Sequence, residues 1–133
     1  MIAPVSAVIA SAVTVLLLFL SYRVSGFRLK YKQGLGVNDD RDFEVAVRSQ
    51  ANLVEYAPVA LIVLALAEIN GVSATLIYWA GMGFFIARVL HAWGMYKGRG
   101  GTHPARLVGA LLTWLSMLAM AVLAVFNVVQ LSV

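Results

Sequence analysis

The chain contains no cysteine, which excludes disulfides, thiolate metal sites and a cysteine nucleophile, so any thiol chemistry must come from a substrate. Charge is also scarce: 12% of the 133 residues are charged and 62% are hydrophobic, with a mean hydropathy of +0.88. A soluble domain is about half apolar and about a quarter charged, so this composition belongs in a bilayer. The two histidines, His91 and His103, lie too far apart for a local metal motif, and no HExxH, Walker or GxGxxG pattern occurs. A metal is therefore not expected. No Lys or Arg precedes the first apolar run, which is long, so it reads as a retained membrane helix rather than a cleaved leader. The length allows one domain of a few helices and no separate soluble catalytic domain.

What is present is four apolar segments, about residues 2–22, 40–69, 72–95 and 105–131. Each is long enough to cross roughly 30 Å at about 1.5 Å per residue. The expected fold is an all-α, integral membrane four-helix bundle. In the first segment Ala3, Ala7 and Ser11 form a ridge of small residues suited to close helix approach. A polar connection follows from Arg23 to about Asn38, loosened by Gly34 and Gly36. Asn38, Asp39 or Asp40 can cap the second helix, and Asp42 and Glu44 complement its dipole. At roughly 45 Å that helix outlasts the hydrocarbon core, so its first turns project into water. Pro58 removes one of its backbone hydrogen bonds and predicts a kink just past Glu55. Asn70 and Gly71 end it, and the short link predicts an antiparallel hairpin with the third helix. The third helix places Arg88, His91 and Met95 on one face, and the glycine-rich basic run from Gly94 to Pro104 reads as a solvated loop. Pro104 or Ala105 opens the fourth helix, with Arg106 in its first turn. Asn127 and Gln130 near its far end read as structural.

All ten Lys and Arg residues lie in or beside the first and third connections. The positive-inside rule makes those connections cytoplasmic and both termini non-cytoplasmic. Membrane orientation accounts for the net charge of +4, so no nucleic-acid partner is implied. The same rule gathers Arg28, Lys30, Arg48, Asn52, Glu55, Arg88, His91 and Arg106 at one membrane face.

The most informative stretch runs from Arg48 to Pro58. On a helix Arg48, Asn52, Glu55 and Tyr56 fall at i, i+4, i+7 and i+8 and share one stripe. An ionisable group where a membrane helix begins is costly unless it pairs or binds something. Glu55 therefore has two readings: an internal ion pair with Arg48, Arg88 or Arg106, or recognition of a ligand's ammonium group. Each arginine alone would serve as an interfacial anchor. Three converging on Asn52 and Glu55 suit a small ligand with several carboxylates and one amine. Tyr56, Trp93 and Tyr96 also fit an aromatic belt.

The pattern Arg48-x-Gln50-x-Asn52-x-x-Glu55-Tyr56-x-Pro58 resembles the MAPEG family, the membrane-associated proteins in eicosanoid and glutathione metabolism. The run Ala87-Arg88-Val89-Leu90-His91-Ala92-x-Gly94-Met95, followed by Arg106-x-x-Gly109, is similar to the third-to-fourth helix region of its bacterial branch. The resemblance implies a homotrimer with glutathione, a co-substrate, bound between neighbouring subunits at the cytoplasmic face, in a bacterial inner membrane. It implies that Arg48, Gln50, Asn52, Glu55 and Tyr56 hold the tripeptide, with Arg88, His91 and Arg28 or Lys30 nearby. Glu55 would take the γ-glutamyl amine and Arg48 the carboxylates, while Arg106 would be the catalytic residue that stabilises the thiolate. Where characterised members carry tyrosines on helix three, this chain has His91 and then Met95, with Tyr96 displaced by one.

The expected activity is thus a membrane glutathione transferase or peroxidase acting on hydrophobic electrophiles or lipid hydroperoxides delivered by the bilayer. The alternative is a non-catalytic protein of the same fold that presents a lipid to a partner. A small multidrug transporter would share four helices and an intramembrane acid, but it needs that acid near mid-membrane, and Glu55 sits toward one face.

Overall fold

In the computed structural model, which describes residues 2–131, the chain is all-helical and no strand occurs among the described residues. The helices are α1 (Pro4–Tyr31), α2 (Arg41–Ile69), α3 (Ala74–Lys97) and α4 (Pro104–Leu131). All four are long and apolar enough to cross a membrane. The side chain of Gln130 lies outside the described residues.

The largest departure from the sequence reading is α1, which continues nine residues past its expected end at Tyr22. Its extension is amphipathic. Val24, Phe27 and Tyr31 form a continuous face that packs on Phe43, Ala46 and Val47 of α2, with Phe27 stacked on Phe43 at 5.5 Å between centroids. Burial of that aromatic face outweighs the polarity of Arg23, Arg28 and Lys30, which therefore ride on a helix rather than in a loop. The helix stops where Lys32 adopts a left-handed conformation (φ 50°) and the Gln33 N–H reaches back to the Arg28 carbonyl at 3.1 Å, a Schellman ending. The same six-to-one bond closes α2, from Val72 to Ala67, and α3, from Gly100 to Met95. Only α2 places a glycine, Gly71, at the left-handed position.

Each following helix has a side-chain cap. Asp40 accepts from the Asp42 N–H at the start of α2, Ser73 from Leu76 at the start of α3, and the His103 ring from Ala105 at the start of α4. The Tyr31 hydroxyl also donates to Asp40 at 2.5 Å, and this bond holds the Asp40 carboxyl below its usual range. α1 lacks a cap of its own. Glu68, near the far end of α2, supplies one by accepting the Val5 N–H, the Ser6 N–H and the Ser6 hydroxyl at 2.9, 2.7 and 2.6 Å. α2 runs unbroken through Pro58.

Among the described residues α2 and α3 each pack on all the other helices, whereas α1 and α4 do not touch. The cross-section is a rhombus with α2 and α3 on its short diagonal. Its core, built from Ile9, Leu53, Leu64, Ile77, Phe84 and Met120, fills the middle of the bundle. The tightest approach is between α3 and α4. A Cβ added at Gly94 would fall 2.2 Å from the Arg106 backbone nitrogen, and one at Gly109 would fall 2.5 Å from that of His91. These two glycines press the start of α4 onto the end of α3, and so fix where Arg106 stands.

The α3–α4 connection is solvent-exposed but tethered. Arg41 donates to the Arg99 carbonyl at 2.9 Å and Arg99 pairs with Asp42 at 3.1 Å, latching the glycine-rich run onto the first turn of α2. The expected solvated loop is present from Gly98 to His103, with Arg99, Gly101 and Thr102 exposed, but it is tethered because the start of α2 projects far enough to supply partners for it, and Gly94 to Lys97 belong to α3 instead.

Candidate functional site

Helical spacing brings the α2 stripe to one face, and the structure links its members in a relay. Arg48 lies 4.0 Å from Glu55, both side chains being about half exposed. Asn52 donates to the second Glu55 oxygen at 3.4 Å and accepts from Arg88 of α3 at 2.6 Å. Arg88 also donates to the Thr113 hydroxyl at 3.2 Å, and its Cζ lies 5.4 Å from the Tyr56 ring centroid. Thr113 in turn donates to the Gly109 carbonyl.

Arg88 is the most informative residue of the site. It is 2% exposed, one of its nitrogens (Nε) has no partner, and no carboxylate lies within ion-pair distance among the described residues. A buried guanidinium held only by neutral groups carries an uncompensated desolvation cost. Glu55, reached through Asn52, is one residue removed from it. Of the two readings for Glu55, the structure shows the ion pair with Arg48 and an indirect link to Arg88.

The second nitrogen of Arg88 also lies 3.2 Å from His91 Nδ1. A guanidinium has no acceptor, so Nδ1 must accept and the ring proton must sit on Nε2. His91 is thereby held as a neutral donor through Nε2. It lines a cavity of about 30 Å³ with Asn52, Tyr56, Arg88, Thr113 and Trp114, room for a single water-sized group.

Arg106 stands in an adjacent, shallower compartment. It shares a pocket of about 180 Å³ with Arg41, Glu44, Arg48 and Met95, and one of its nitrogens donates to the Gly100 and Gly101 carbonyls at 2.6 and 3.1 Å. The structure therefore brings Arg48 and Arg106 together. On its other side Arg106 borders an open groove of about 700 Å³, lined by Thr102, His103, Pro104, Leu107 and Ala110. A cation rim thus adjoins an apolar surface.

Three candidates lie elsewhere. Arg28 donates to the carbonyls of Gln33, Gly34 and Gly36, the Gly34 bond being 2.7 Å, and so ties down the α1–α2 turn. The Lys30 ammonium stands over the Tyr31 ring at 4.7 Å. Gln50 turns toward α1 and donates to Ser21 at 2.9 Å. None of the three contacts the stripe among the described residues.

Sequence reasoning missed Thr113 and Trp114, whose indole N–H donates to the Tyr56 hydroxyl at 3.3 Å. The signal was available. Arg106, Ala110, Thr113 and Trp114 repeat on α4 the spacing i, i+4, i+7, i+8 of the α2 stripe.

The family sequence model of MAPEG matches residues 6–126. This chain belongs to the MAPEG family. Two related proteins, each called inner membrane protein YecN, from Escherichia coli K12 and from Escherichia coli O6:H1 strain CFT073, are each 28% identical to it over 116 residues, spanning 87% of this chain and 86% of the relative. As a MAPEG protein the chain is a multi-pass membrane protein of four spanning helices, and the paired compartments at the basic end of its bundle are its candidate site.

Proposed function

We propose that this MAPEG protein is a bacterial inner membrane glutathione transferase whose site faces the cytoplasm, with both termini on the opposite side. It activates the glutathione thiol for attack on hydrophobic electrophiles or lipid hydroperoxides. The observation that carries the reading is the Arg48, Glu55, Asn52 and Arg88 relay, which ends on a buried cation without a counter-ion. A ligand with carboxylates and an ammonium group can engage Arg48 and Glu55 at the exposed end of that relay, and an anion nearby would offset the charge of Arg88.

A free thiol has a pKa near 8.5 and is mostly unreactive at neutral pH. A guanidinium beside the sulfur favours the thiolate, the nucleophilic form. Arg106 is assigned that role because its guanidinium edge stands between the polar pocket and the apolar groove, where a sulfur and a lipid-borne electrophile can meet. The chain assembles as a homotrimer in this reading. Arg28, Lys30 and Gln50, which face away from the stripe of their own subunit, act on a neighbour's ligand.

A second reading, a lipid presenter without catalysis, is favoured by the size of the apolar groove beside α4. Glutathione titration in detergent, followed by thiolate absorbance, separates the two. The transferase gives saturable thiolate in wild type, none in Arg106→Ala, and weaker binding in Glu55→Gln. Binding without thiolate would remove the role of Arg106, and no binding at millimolar glutathione would leave the presenter.

A further inference from the structure

α1 and α3 run parallel in matched register. At one end a Cβ on Gly81 would lie 2.7 Å from Ile9 Cγ1, so the helices are in close contact. Fourteen residues on along α1 and fifteen along α3, about 21 Å along the axis, Arg23 stacks over Tyr96 with its Cζ 4.4 Å from the ring centroid. Between these points residues of both helices line a groove of about 560 Å³. Its deep part is wholly apolar, with Leu16, Phe19 and Leu20 on α1 facing Val89 and Ala92 on α3. Its basic end carries Tyr22, Arg23, Trp93 and Tyr96.

That ordering matches one class of molecule. An apolar channel lying along the membrane normal accepts an acyl chain. Trp and Tyr settle at headgroup level, and a cation among them offers a counter-charge to a phosphate. Arg23 is free to do so: it is half-buried, and none of the ion pairs among the described residues includes it. Arg41, Arg48 and Arg99, by contrast, already have carboxylate partners. The tyrosine ring under Arg23 holds its guanidinium at the groove mouth without neutralising it. Neither Arg23 nor the groove takes part in the glutathione reading.

The geometry points to a binding site for one anionic glycerophospholipid in the α1–α3 groove, an acyl chain lying along Leu16, Leu20 and Val89 and the headgroup phosphate on Arg23. The site stands independently of any activity at the α2 stripe.

Native mass spectrometry of the protein, released from mild detergent after incubation with equimolar phosphatidylglycerol and phosphatidylethanolamine of matched chains, tests it. The expected result is saturable retention of one phosphatidylglycerol per chain in preference to phosphatidylethanolamine. Arg23→Gln should reduce that preference about fivefold, as expected for loss of one well-placed cation. Ala92→Trp, which fills the groove floor, should abolish retention of both lipids. Lys97→Gln, which removes a neighbouring interfacial cation outside the groove, should leave the preference unchanged. Equal loss in Lys97→Gln and Arg23→Gln would show general surface charge and overturn the site. So would retention that never saturates, or a cross-link from Phe19→Cys to a second copy of the chain, which would make the groove an interface.

Discussion

At the scale of single residues, Arg88 is where stability and function diverge. A fully buried guanidinium with an unpartnered Nε and only neutral hydrogen-bond partners costs desolvation that nothing nearby returns in full, and replacing such a charge by an apolar group of similar length is often neutral or stabilising. Arg88→Met should therefore melt no lower than wild type in detergent, while glutathione binding falls at least about tenfold, as when a hydrogen-bonded charge is lost. A large drop in melting temperature would mean that Arg88 is structural. The same variant tests His91. Nitrogen-15 NMR should show the proton on Nε2 and a bare Nδ1 in wild type, and a loss of that preference once the guanidinium at 3.2 Å is gone. The stripe of Arg48, Asn52, Glu55 and Tyr56 was legible because helical spacing alone determines who shares a face. The burial of Arg88 was not: it depends on α4 closing over α3, which sequence spacing within α3 does not report. Thr113 shares a helical stripe with Arg106 and Trp114 that the spacing alone reveals, but that spacing does not name Arg88 as its partner.

At the scale of helices, the site is positioned by two absences of side chain. Gly94 and Gly109 let α3 and α4 approach until a Cβ would meet backbone atoms at 2.2 and 2.5 Å. Backbone cannot rotate aside as a side-chain tip can. Gly94→Ala should force the helices apart, at a cost of at least about 1–3 kcal/mol, and carry Arg106 away from the compartment it shares with Arg48. The expected readings are a lower melting temperature together with a loss of thiolate formation at saturating glutathione. A variant that melts early but still forms thiolate would show that Arg106 does not depend on this contact. In the sequence Gly94 opens a basic glycine-rich run and Gly109 follows Arg106 in a motif, and neither position reports that Gly94 marks the tightest contact in the bundle. The overlong α1 has a related origin. Charge at Arg23, Arg28 and Lys30 suggested a loop, yet Val24, Phe27 and Tyr31 kept the helical period beneath it, and the period prevailed once Phe43 was there to bury it. Glu68 was unreadable from α2 alone because the helix end it caps belongs to α1.

At the scale of the whole molecule, the rhombic section leaves one side of α2 uncovered between α1 and α4, which do not meet. Exposed Val54, Val59, Ile62 and Leu66 on that helix would be content in lipid, but Arg48 and Glu55 are also about half exposed on the same helix. Charges at the edge of hydrocarbon need protein or water around them, and in the proposed homotrimer a second copy laid against α2 would supply the protein. The groove between α1 and α3 carries its one charged lining residue, Arg23, at its basic mouth beside Tyr22, Trp93 and Tyr96, and its apolar length can face lipid. The absence of cysteine makes this testable without background. Val59→Cys should give oxidative cross-links between copies in native membranes, and Phe19→Cys on the α1–α3 groove should give none. Cross-linking at Val59 together with a trimeric mass by light scattering would support an assembly built on α2. If neither position cross-links and the protein is monomeric in mild detergent, Arg48 and Glu55 must be served by water within a single chain, and Arg28, Lys30 and Gln50 have no route to the ligand.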